Sequence, residues 1–450
     1  MKKHKDLLTK EFNNSLSSEV IEKLAKESGF VKRTSAINGI RFLDLLMFNS
    51  QHGTLLSLEN LAEDFQAEHD VSISKQGLDE RFNQQSVAFL KMVLSHMLST
   101  QLQNKLSSPD KVLFTTCRLR DSSRFGLPDE YAFVYKGYGG ATKSASIISI
   151  QYEFDLLSGS QIDLQLTSGC RNDQQDSKES VDNITKGDLL IRDLGYVTTT
   201  YLKSVIKNEA YFLNRIPSQV HVYDDKAKHK KIDFDKVYKK MRKYNLPYLE
   251  LDVTMGEKAR IPCRLIVFLN KESTYKSRLK RTMKNTKSIG CKVSKEQKTK
   301  SRLDIYITNT KKEMIKPESI KSIYSLRWQI ELVFKAWKSL CKIDKIKKVK
   351  IHRFECMLLA GLIWILANWK IFQYINKWFT ENVKDKTPSI WKFFKLATKS
   401  NLKLRRIIFK NEDIKPWLEL LLDISEKKLY RETKKGDIAH LQKLELLSFA

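Results

Sequence analysis

The stretch that says most about the fold of this chain is Tyr324-Ser-Leu-Arg327-Trp-Gln-Ile-Glu331-Leu-Val-Phe-Lys335-Ala-Trp-Lys338. At about 100° per residue, Tyr324, Arg327, Glu331 and Lys338 fall within about 60° of one another on a helix. A different face gathers the apolar residues Ile323, Leu326, Ile330, Val333, Phe334 and Trp337. The pattern predicts a helix with one side packed on a core and an acid, two cations and a phenol on the other. The plainer alternative is a surface stripe of i,i+4 ion pairs between Arg327, Glu331 and Lys335, each worth about 0.2–0.5 kcal/mol.

Two aspartates upstream suit the same chemistry as the glutamate of this helix. Asp121 ends a strand-like run at 112–120, and Asp193 ends a second, shorter run. Two aspartates at strand ends and a glutamate on a later helix are an arrangement that can cage a pair of divalent metal ions. We therefore expect Asp121, Asp193 and Glu331 to converge in the folded chain.

The charge of the chain favours a polyanionic partner. The 450 residues include 81 lysines and arginines and 52 aspartates and glutamates, which gives a formal charge of +29. Residues 221–350 hold 36 basic and 14 acidic side chains, so +22 of the excess lies around the helix described above. A generally lysine-rich surface would spread the charge more evenly, so this concentration indicates a groove for DNA.

Cysteine and histidine usage argues against other kinds of site. The six cysteines are scattered without a C-x-x-C pair, which is typical of reduced thiols in a cytosolic protein. The eight histidines form no H-x-H or H-E-x-x-H motif, which argues against a nuclease with histidine-bound metal. No apolar stretch follows the basic N-terminus, and the longest apolar run, 356–367, is about half a bilayer span. We expect a cytoplasmic protein without a signal peptide.

The spacing Tyr-x2-Arg-x3-Glu-x6-Lys resembles the YREK signature of DDE-type bacterial insertion-sequence transposases, in the cut-and-paste family numbered four. All four positions match at the spacing of that family. Other short segments also resemble sequences of that family: Leu303–Asn309, Arg327-Trp328, Phe334-Lys335, Asp193-Leu-Gly-Tyr196 and Asp121-Ser-Ser123. The similarity runs from about residue 110 to residue 345.

The resemblance implies a DNA transposase. Such an enzyme binds the terminal inverted repeats of its element, cleaves the ends by two-metal hydrolysis and joins the 3′ ends to target DNA. We expect two Mg²⁺ ions, or Mn²⁺ in their place, with Asp121 between both, Asp193 on one and Glu331 on the other. The resemblance also implies a homodimer on double-stranded DNA, associated with a bacterial nucleoid. The residues expected to bind phosphate near the site are Tyr324, Arg327, Lys338 and Lys335.

The pattern along the chain predicts an α/β protein with a ribonuclease-H-like core, the fold that the resemblance also implies. The predicted strands lie at 112–120, 131–136, 145–156, 162–167, 189–192 and 210–215. They read as antiparallel strands, a helix, and then parallel strands alternating with helices. On the first strand, Cys117 is expected to pack and Arg120 to be solvated.

We divide the chain into five regions. They are a helical DNA-binding domain (1–105), the first part of the catalytic core (106–218), a β-rich insertion domain (219–315), the second part of the core (316–384) and a helical C-terminal region (385–450). A polar linker is expected at 101–110, and a long apolar helix at 351–379 closes the core.

The insertion departs from the resembled family in its aromatic residues. In relatives, a tryptophan of this insertion can stack on a flipped base, whereas all seven tryptophans of this chain lie at 328 or later. Tyr306 and Tyr275 are the alternatives, and cleavage through a DNA hairpin stays open.

The N-terminal region contains a pattern that resembles a helix-turn-helix, with helices at 57–65 and 74–82 and Ser74 as the N-cap of the second. An ordinary helical hairpin is an equal alternative. If the second helix reads DNA, the side chains able to reach it are Lys75, Gln76 and Arg81.

Two other functions remain open from the sequence. The chain could be a transposase-derived repressor that binds DNA without cutting it, although the intact acidic triad argues against this. It could also be a ribonuclease-H-like nuclease or resolvase that cuts without strand transfer. Mg²⁺-dependent nicking of a duplex that carries the terminal repeat separates the first alternative from the enzyme.

Overall fold

The structure is a computed structural model. It describes residues 16–447 except 34, 100–112, 140–144, 217–219, 225–229, 289, 291, 384–385 and 433–439. The polar linker expected at 101–110 and the start of the first predicted strand therefore lie outside the described residues.

Helices form the N-terminal region, as the sequence predicts. In the described part of it they are α1 (Ser18–Glu27), α2 (Gly39–Asn49), α3 (Leu58–His69), α4 (Lys75–Glu80) and α5 (Gln84–Ser99). The Oγ of Ser74 accepts the backbone N–H of Gly77 at 3.1 Å, which confirms Ser74 as the N-cap of α4. Asp70 ends α3 in the left-handed conformation, with φ of 52°, and so turns the chain toward α4.

A single sheet of ten strands forms the centre of the described chain, in the order β3-β2-β1-β4-β5-β10-β9-β8-β6-β7. The first five strands are β1 (Cys117–Gly126), β2 (Ile147–Asp155), β3 (Gln161–Ser168), β4 (Leu189–Arg192) and β5 (Tyr211–Arg215). β1, β2 and β3 pair antiparallel, whereas β1 pairs with β4 and β4 with β5 in parallel. Antiparallel strands followed by parallel ones are the order that the sequence pattern predicted.

The strand predicted at 131–136 is wrong. This segment begins with a 3₁₀ turn, Asp129–Tyr131, and continues in turns. Its two tyrosines reach across to later parts of the chain. The hydroxyl of Tyr131 donates to the carbonyl of Val349 at 2.6 Å, and that of Tyr135 to Glu355 at 2.7 Å. These contacts to a distant segment hold the backbone in turns that a local alternation of residues does not reveal.

The remaining strands extend the same sheet. They are β6 (Val222–Asp224), β7 (Lys230–Lys231), β8 (Leu249–Met255), β9 (Ile261–Leu269) and β10 (Leu303–Thr308). β10 pairs antiparallel with β5, so the strands of the predicted β-rich insertion continue the sheet beyond β5. Three helices accompany these strands: α8 (Phe234–Lys243), α9 (Glu272–Ser288) and α10 (Lys295–Ser301). Phe212 of β5 and Leu265 of β9 lie in one hydrophobic core.

Helices cover both faces of the β1–β4 region. One face carries α6 (Asp173–Glu179) and α7 (Thr199–Lys207), and the other carries α12 (Trp328–Ser339) and α13 (Ile351–Asn382). Side chains alternate along a strand. Leu119 and Ile191 belong to the hydrophobic core that includes α12 and α13, whereas Leu190 packs with residues of α7.

α13 is the long apolar helix that the sequence predicts. It is long and apolar enough to cross a membrane, but its apolar window is entirely buried inside the protein. Around it in the described chain lie N-terminal helices and α14 (Ile390–Ala397), α15 (Asn401–Phe409) and α16 (Lys415–Lys428), whereas α17 (His440–Glu445) contacts residues 320–325. Arg405 of α15 binds Asp44 of α2 through two hydrogen bonds of 2.8 and 3.0 Å. A buried ion pair thus joins the N-terminal and C-terminal helical regions.

Candidate active site

The segment predicted as one helix from residue 324 onward consists of two. α11 (Ile320–Ser325) ends before a short turn at Leu326 and Arg327, and α12 begins at Trp328. Both turn residues have right-handed helical dihedral angles, so the chain direction changes little. The predicted apolar face is confirmed because all its members are buried: Ile323, Leu326, Ile330, Val333, Phe334 and Trp337.

The two aspartates follow adjacent positions of neighbouring strands. The last parallel pair between β1 and β4 is Arg120 with Arg192, so Asp121 and Asp193 are the next residue on each strand. The sequence suggested that Asp121 ends its strand, but β1 continues past it to Gly126. Asp121 stays paired with Tyr152 of β2 at the point where β1 leaves β4. The backbone N–H of Ser122 donates to its carboxylate at 2.8 Å.

One guanidinium joins the three predicted acidic residues. Nη1 of Arg327 lies 3.5 Å from Oδ2 of Asp121, and Nε lies 3.9 Å from Oδ1 of Asp193. Nη2 donates a hydrogen bond to Oε1 of Glu331, one helical turn later. Residues at i and i+4 of a helix face one another, which accounts for that last contact. The structure therefore brings Asp121, Asp193 and Glu331 together around Arg327.

Exposure differs among these four side chains. Those of Asp121 and Arg327 are 20% and 14% exposed, whereas those of Asp193 and Glu331 are 48% and 33% exposed. Burial raises the pKa of Asp121 to about 7, although the N–H of Ser122 and the charge of Arg327 act in the opposite direction. Burial alone would lower the pKa of Arg327, but the neighbouring Asp193, Tyr324 and Glu331 outweigh it and raise that pKa. Asp121, Asp193 and Glu331 thus form an acidic cluster around one internal cation, the guanidinium of Arg327.

The chemistry of the three acids suits hard divalent cations. All three acids offer carboxylate oxygens, the ligands that Mg²⁺ prefers, and Mg²⁺ is usually bound by one or two carboxylates and keeps several waters. In the described part of the chain, no three histidine, cysteine or acidic side chains are arranged to hold one ion together. The hydroxyl of Tyr324 is buried and has no hydrogen-bond partner among the described residues. This hydroxyl lies near the acids, and a bound ligand can supply the hydrogen-bond acceptor that it lacks.

The two lysines of the predicted stripe lie against protein groups. Nζ of Lys338 donates to the backbone carbonyl of Arg124 at 2.8 Å and lies over the ring of Phe125. Burial lowers the pKa of Lys338. Nζ of Lys335 lies 4.9 Å from the ring centroid of Trp391. Lys338 therefore binds the backbone of β1 three residues after Asp121.

The three N-terminal residues predicted to read DNA do not share one environment. Lys75 and Gln76 are exposed in the first turn of α4. Arg81 is partly buried, and its guanidinium donates to Oγ of Ser35 at 2.9 Å and lies over the ring of Phe30. Two of the three side chains thus face solvent, and the third is bound within the helical region.

The aromatic residues considered for base stacking are engaged in protein contacts. Tyr306 is buried, and its ring centroid lies 5.2 Å from that of Tyr324. The ring of Tyr275 lies under the guanidinium of Arg302, 3.9 Å away. Trp328, directly after Arg327, is 57% exposed. Trp328 is therefore a large aromatic side chain that solvent reaches directly beside Arg327 in the chain.

Two features of the site were missed by the sequence analysis. Arg120 is fully buried, so the expectation that it is solvated is wrong. Three carboxylates, including those of Asp176 and Asp163, accept hydrogen bonds from its guanidinium. Asp173 is a further acid near the site, where it accepts from Ser122 at 3.2 Å and from Arg124 at 2.6 Å. A polar helix sequence gave no signal that Asp173 would lie beside β1.

Comparisons with known proteins agree on one family. Residues 113–366 match the family described as the Transposase DDE domain. The chain is 30% identical to the transposase for insertion sequence element IS1151 of Clostridium perfringens over 431 residues, 92% of this chain and 90% of that protein. It is 31% identical to the transposase for insertion sequence element IS231C of Bacillus thuringiensis subsp. berliner, with 79% and 78% covered.

Among solved structures, the chain is similar to the piggyBac transposase in a synaptic complex with hairpin DNA. The sequence identity is 13% and the TM-score is 0.46, with 95% of this chain and 86% of that chain covered.

Proposed function

This chain belongs to the DDE transposase family, and from that premise we propose that it binds the terminal inverted repeats of a bacterial insertion sequence, cleaves its ends and joins the 3′ ends to target DNA. The observation that carries this proposal is the convergence of Asp121, Asp193 and Glu331 on the guanidinium of Arg327. Such a cluster of three acids offers no advantage to a protein that only binds a polyanion, because it repels phosphate.

In the proposed reaction, Asp121, Asp193 and Glu331 would be the residues that hold two divalent cations, where β1 and β4 part. When bound, Mg²⁺ or Mn²⁺ activates the attacking oxygen and stabilises the leaving 3′ oxygen. Asp121 must be deprotonated to act as a ligand, and its raised pKa means that it gives up a proton on binding. In the first step, water attacks a phosphodiester at the element end and the 3′ oxygen leaves as a hydroxyl. In the second, that hydroxyl attacks a phosphodiester of target DNA, and the 3′ oxygen of the target strand leaves.

Arg327 and Tyr324 would bind the DNA backbone beside the acids. A guanidinium can donate two parallel hydrogen bonds to a phosphate, and the unpartnered hydroxyl of Tyr324 can donate a third. Arg327 would then have two alternative partners, the carboxylates in free protein and a phosphate in the complex. Lys338 would contribute by holding the backbone of β1 through the carbonyl of Arg124, and Lys335 would add charge to the same helix.

The order and pairing of β1 to β5 support a ribonuclease-H-like catalytic core. We assign the regions 106–218 and 316–384 to this core, 219–315 to the insertion, 1–105 to recognition of the terminal repeats and 385–450 to a helical C-terminal region. Cleavage at both ends of an element in one complex favours a homodimer, acting in the cytoplasm on the bacterial nucleoid.

The test is cleavage of a duplex built from the DNA that flanks this reading frame, with Mg²⁺ and a target plasmid. Wild-type protein is expected to release a 3′ hydroxyl at the element end and to join it to the plasmid. Asp121→Ala, Asp193→Ala and Glu331→Ala are each expected to abolish both steps while binding to the duplex survives. Glu63→Ala, which removes an exposed acid on α3, is the matched control and should cleave normally.

The outcomes separate the alternatives. Binding without cleavage by wild-type protein in either Mg²⁺ or Mn²⁺ would support the repressor and contradict the enzyme. Cleavage without joining would support a nuclease or resolvase. Normal cleavage by one of the three alanine variants would remove that residue from the catalytic set.

A further inference from the structure

Three arginines lie buried behind the two catalytic aspartates. Arg118 and Arg120 are on β1, and Arg192 is on β4. All three are shielded from solvent, and their guanidiniums meet the carboxylate of Glu153 on β2. The three arginines and Glu153 form what we call the arginine cluster.

The geometry of the arginine cluster is closely tied to the positions of the aspartates. Arg120 precedes Asp121, Arg192 precedes Asp193, and Arg120 and Arg192 are register partners. Because side chains alternate along a strand, these arginines point to the face opposite the aspartates. Arg120 donates to Oε2 of Glu153 at 3.2 Å, and Arg192 donates to Oε1 at 3.3 Å. A single carboxylate thus bridges the two strands directly behind Asp121 and Asp193.

The backbone register of β1 and β4 reaches its last pair directly before the aspartates. That pair is Arg120 with Arg192. Beyond that pair β4 stops while β1 continues. One further contact holds the free end of β4: the amide of Asn214 on β5, itself fully buried, donates to the carbonyl of Arg192 at 2.9 Å. This carbonyl belongs to the peptide unit that leads into Asp193.

Other carboxylates complete the arginine cluster. Asp176 of α6 accepts two hydrogen bonds from Arg120, at 2.6 and 3.0 Å, and Asp188 accepts one from Arg118 at 3.1 Å. Burial alone would raise the pKa of Glu153, but the three guanidiniums outweigh it and lower that pKa to about 2. Desolvating so many charges makes buried ion pairs weak contributors to stability, since well-packed apolar residues often serve equally well. The arginine cluster is therefore better explained by the positions it fixes than by the stability it adds.

We propose that Glu153 and Asn214 are positioning residues that hold Asp121 and Asp193 in register for divalent cations, Glu153 through Arg120 and Arg192 and Asn214 through the peptide of Asp193. This inference rests on the proposed function, because it concerns the same pair of aspartates. Neither residue touches DNA or the cations. Glu153 acts on the spacing of the two carboxylates from the opposite face of the sheet, and Asn214 acts on it from the neighbouring strand β5.

The experiment compares Glu153→Gln and Asn214→Ala with wild-type protein. Glu153→Gln keeps the shape of the side chain and removes the charge that bridges the arginines. Each variant is expected to raise the Mn²⁺ concentration needed for half-maximal cleavage by about tenfold, the typical effect of losing a group that orients metal ligands. Binding of Mn²⁺ to the DNA-free protein, followed by electron paramagnetic resonance, should weaken by a similar factor. Binding of the terminal duplex without metal should be unchanged.

Asp44→Asn is the matched control. Asp44 is also a buried carboxylate bound by a buried arginine, Arg405, but it lies between α2 and α15, away from the acidic cluster. The Asp44→Asn variant is expected to have a lower thermal unfolding midpoint and an unchanged Mn²⁺ dependence of cleavage. Asn214→Ala removes a single neutral hydrogen bond, so it tests the proposal even if Glu153→Gln does not fold.

The proposal is overturned if the folded fraction of either variant binds Mn²⁺ as wild-type protein does. It is also overturned if Asp44→Asn shifts the Mn²⁺ dependence equally, because the effect would then be general destabilisation. Wild-type protein that neither cleaves nor binds Mn²⁺ would contradict the proposed function itself. Wild-type protein that does both, with unchanged variants, would contradict only the positioning role.

Discussion

Replacing Arg327 by methionine should strengthen binding of a divalent cation to the DNA-free protein. The guanidinium of Arg327 is the internal cation of the acidic cluster, where it contacts Asp121, Asp193 and Glu331. A metal ion bound by these carboxylates must compete with it. Arg327→Met keeps the length and apolar stem of the side chain and removes the competing charge.

The expected size follows from the contact with Glu331. A hydrogen bond to a charged group contributes about 1.5–3 kcal/mol. The lower end applies here because Glu331 is 33% exposed, and the contacts to Asp121 and Asp193, at 3.5 and 3.9 Å, are longer than hydrogen bonds. Since about 1.4 kcal/mol is a factor of ten in a dissociation constant, the variant should bind Mn²⁺ about tenfold more tightly.

The assay is titration of Mn²⁺ into DNA-free protein, followed by electron paramagnetic resonance. Arg124→Met is the matched control, because Arg124 pairs with Asp173 near the site without contacting the three acids. Arg327→Lys keeps one charge and should give an intermediate affinity. Unchanged or weaker Mn²⁺ binding by Arg327→Met would refute the idea that the guanidinium competes with the metal. Added duplex should tighten Mn²⁺ binding in wild-type protein and change it less in Arg327→Met, because phosphate draws the guanidinium away from the acids.

Three further predictions concern pH, base stacking and recognition. Folding raises the pKa of Asp121 from 3.8 to about 7, so the folded state binds its proton more tightly and the free energy of unfolding falls as pH rises through that window. Asp121→Asn should therefore raise the thermal unfolding midpoint relative to wild-type protein by an amount that grows from pH 4 to about pH 7 and then levels off; a constant or shrinking difference would contradict the raised pKa. Trp328→Ala should leave the unfolding midpoint nearly unchanged and weaken binding of terminal duplex by about 1–3 kcal/mol in a gel-shift titration, the usual contribution of an aromatic ring stacked on a base, and an unchanged affinity would exclude stacking. Lys75→Ala combined with Gln76→Ala should weaken binding to the terminal duplex more than to an unrelated duplex, and equal weakening would assign these side chains to the backbone.

Local sequence patterns were sufficient where one element determines its own structure. The apolar stripe from Ile323 to Trp337 is buried as the helical period predicts. β10 occupies Leu303–Thr308, and β4 occupies Leu189–Arg192, as their runs of apolar residues indicate. Ser74 caps α4 because a serine side chain can accept a backbone N–H three residues later. Each of these features depends on residues within a few positions of one another.

Patterns failed where distant segments determine the structure. Residues 131–136 look like a strand, but tyrosine hydroxyls bind groups about 220 positions later and the backbone forms turns. The sequence pattern placed strands in the insertion but did not show that β10 pairs with β5 and so continues the central sheet. Arg120 looked solvated because it is charged, although three carboxylates from β2, β3 and α6 surround it.

The sequence by itself therefore predicted the catalytic candidates, the succession of antiparallel and then parallel core strands, and a polyanionic partner, since residue type, spacing and net charge carry that information. The tertiary structure alone decided that Arg327 contacts all three acids and that Glu153 bridges the strands behind them. The physical reason is that a buried charge is stable only beside charges that neutralise it. Those partners come from segments far apart in the chain, and only folding brings them together.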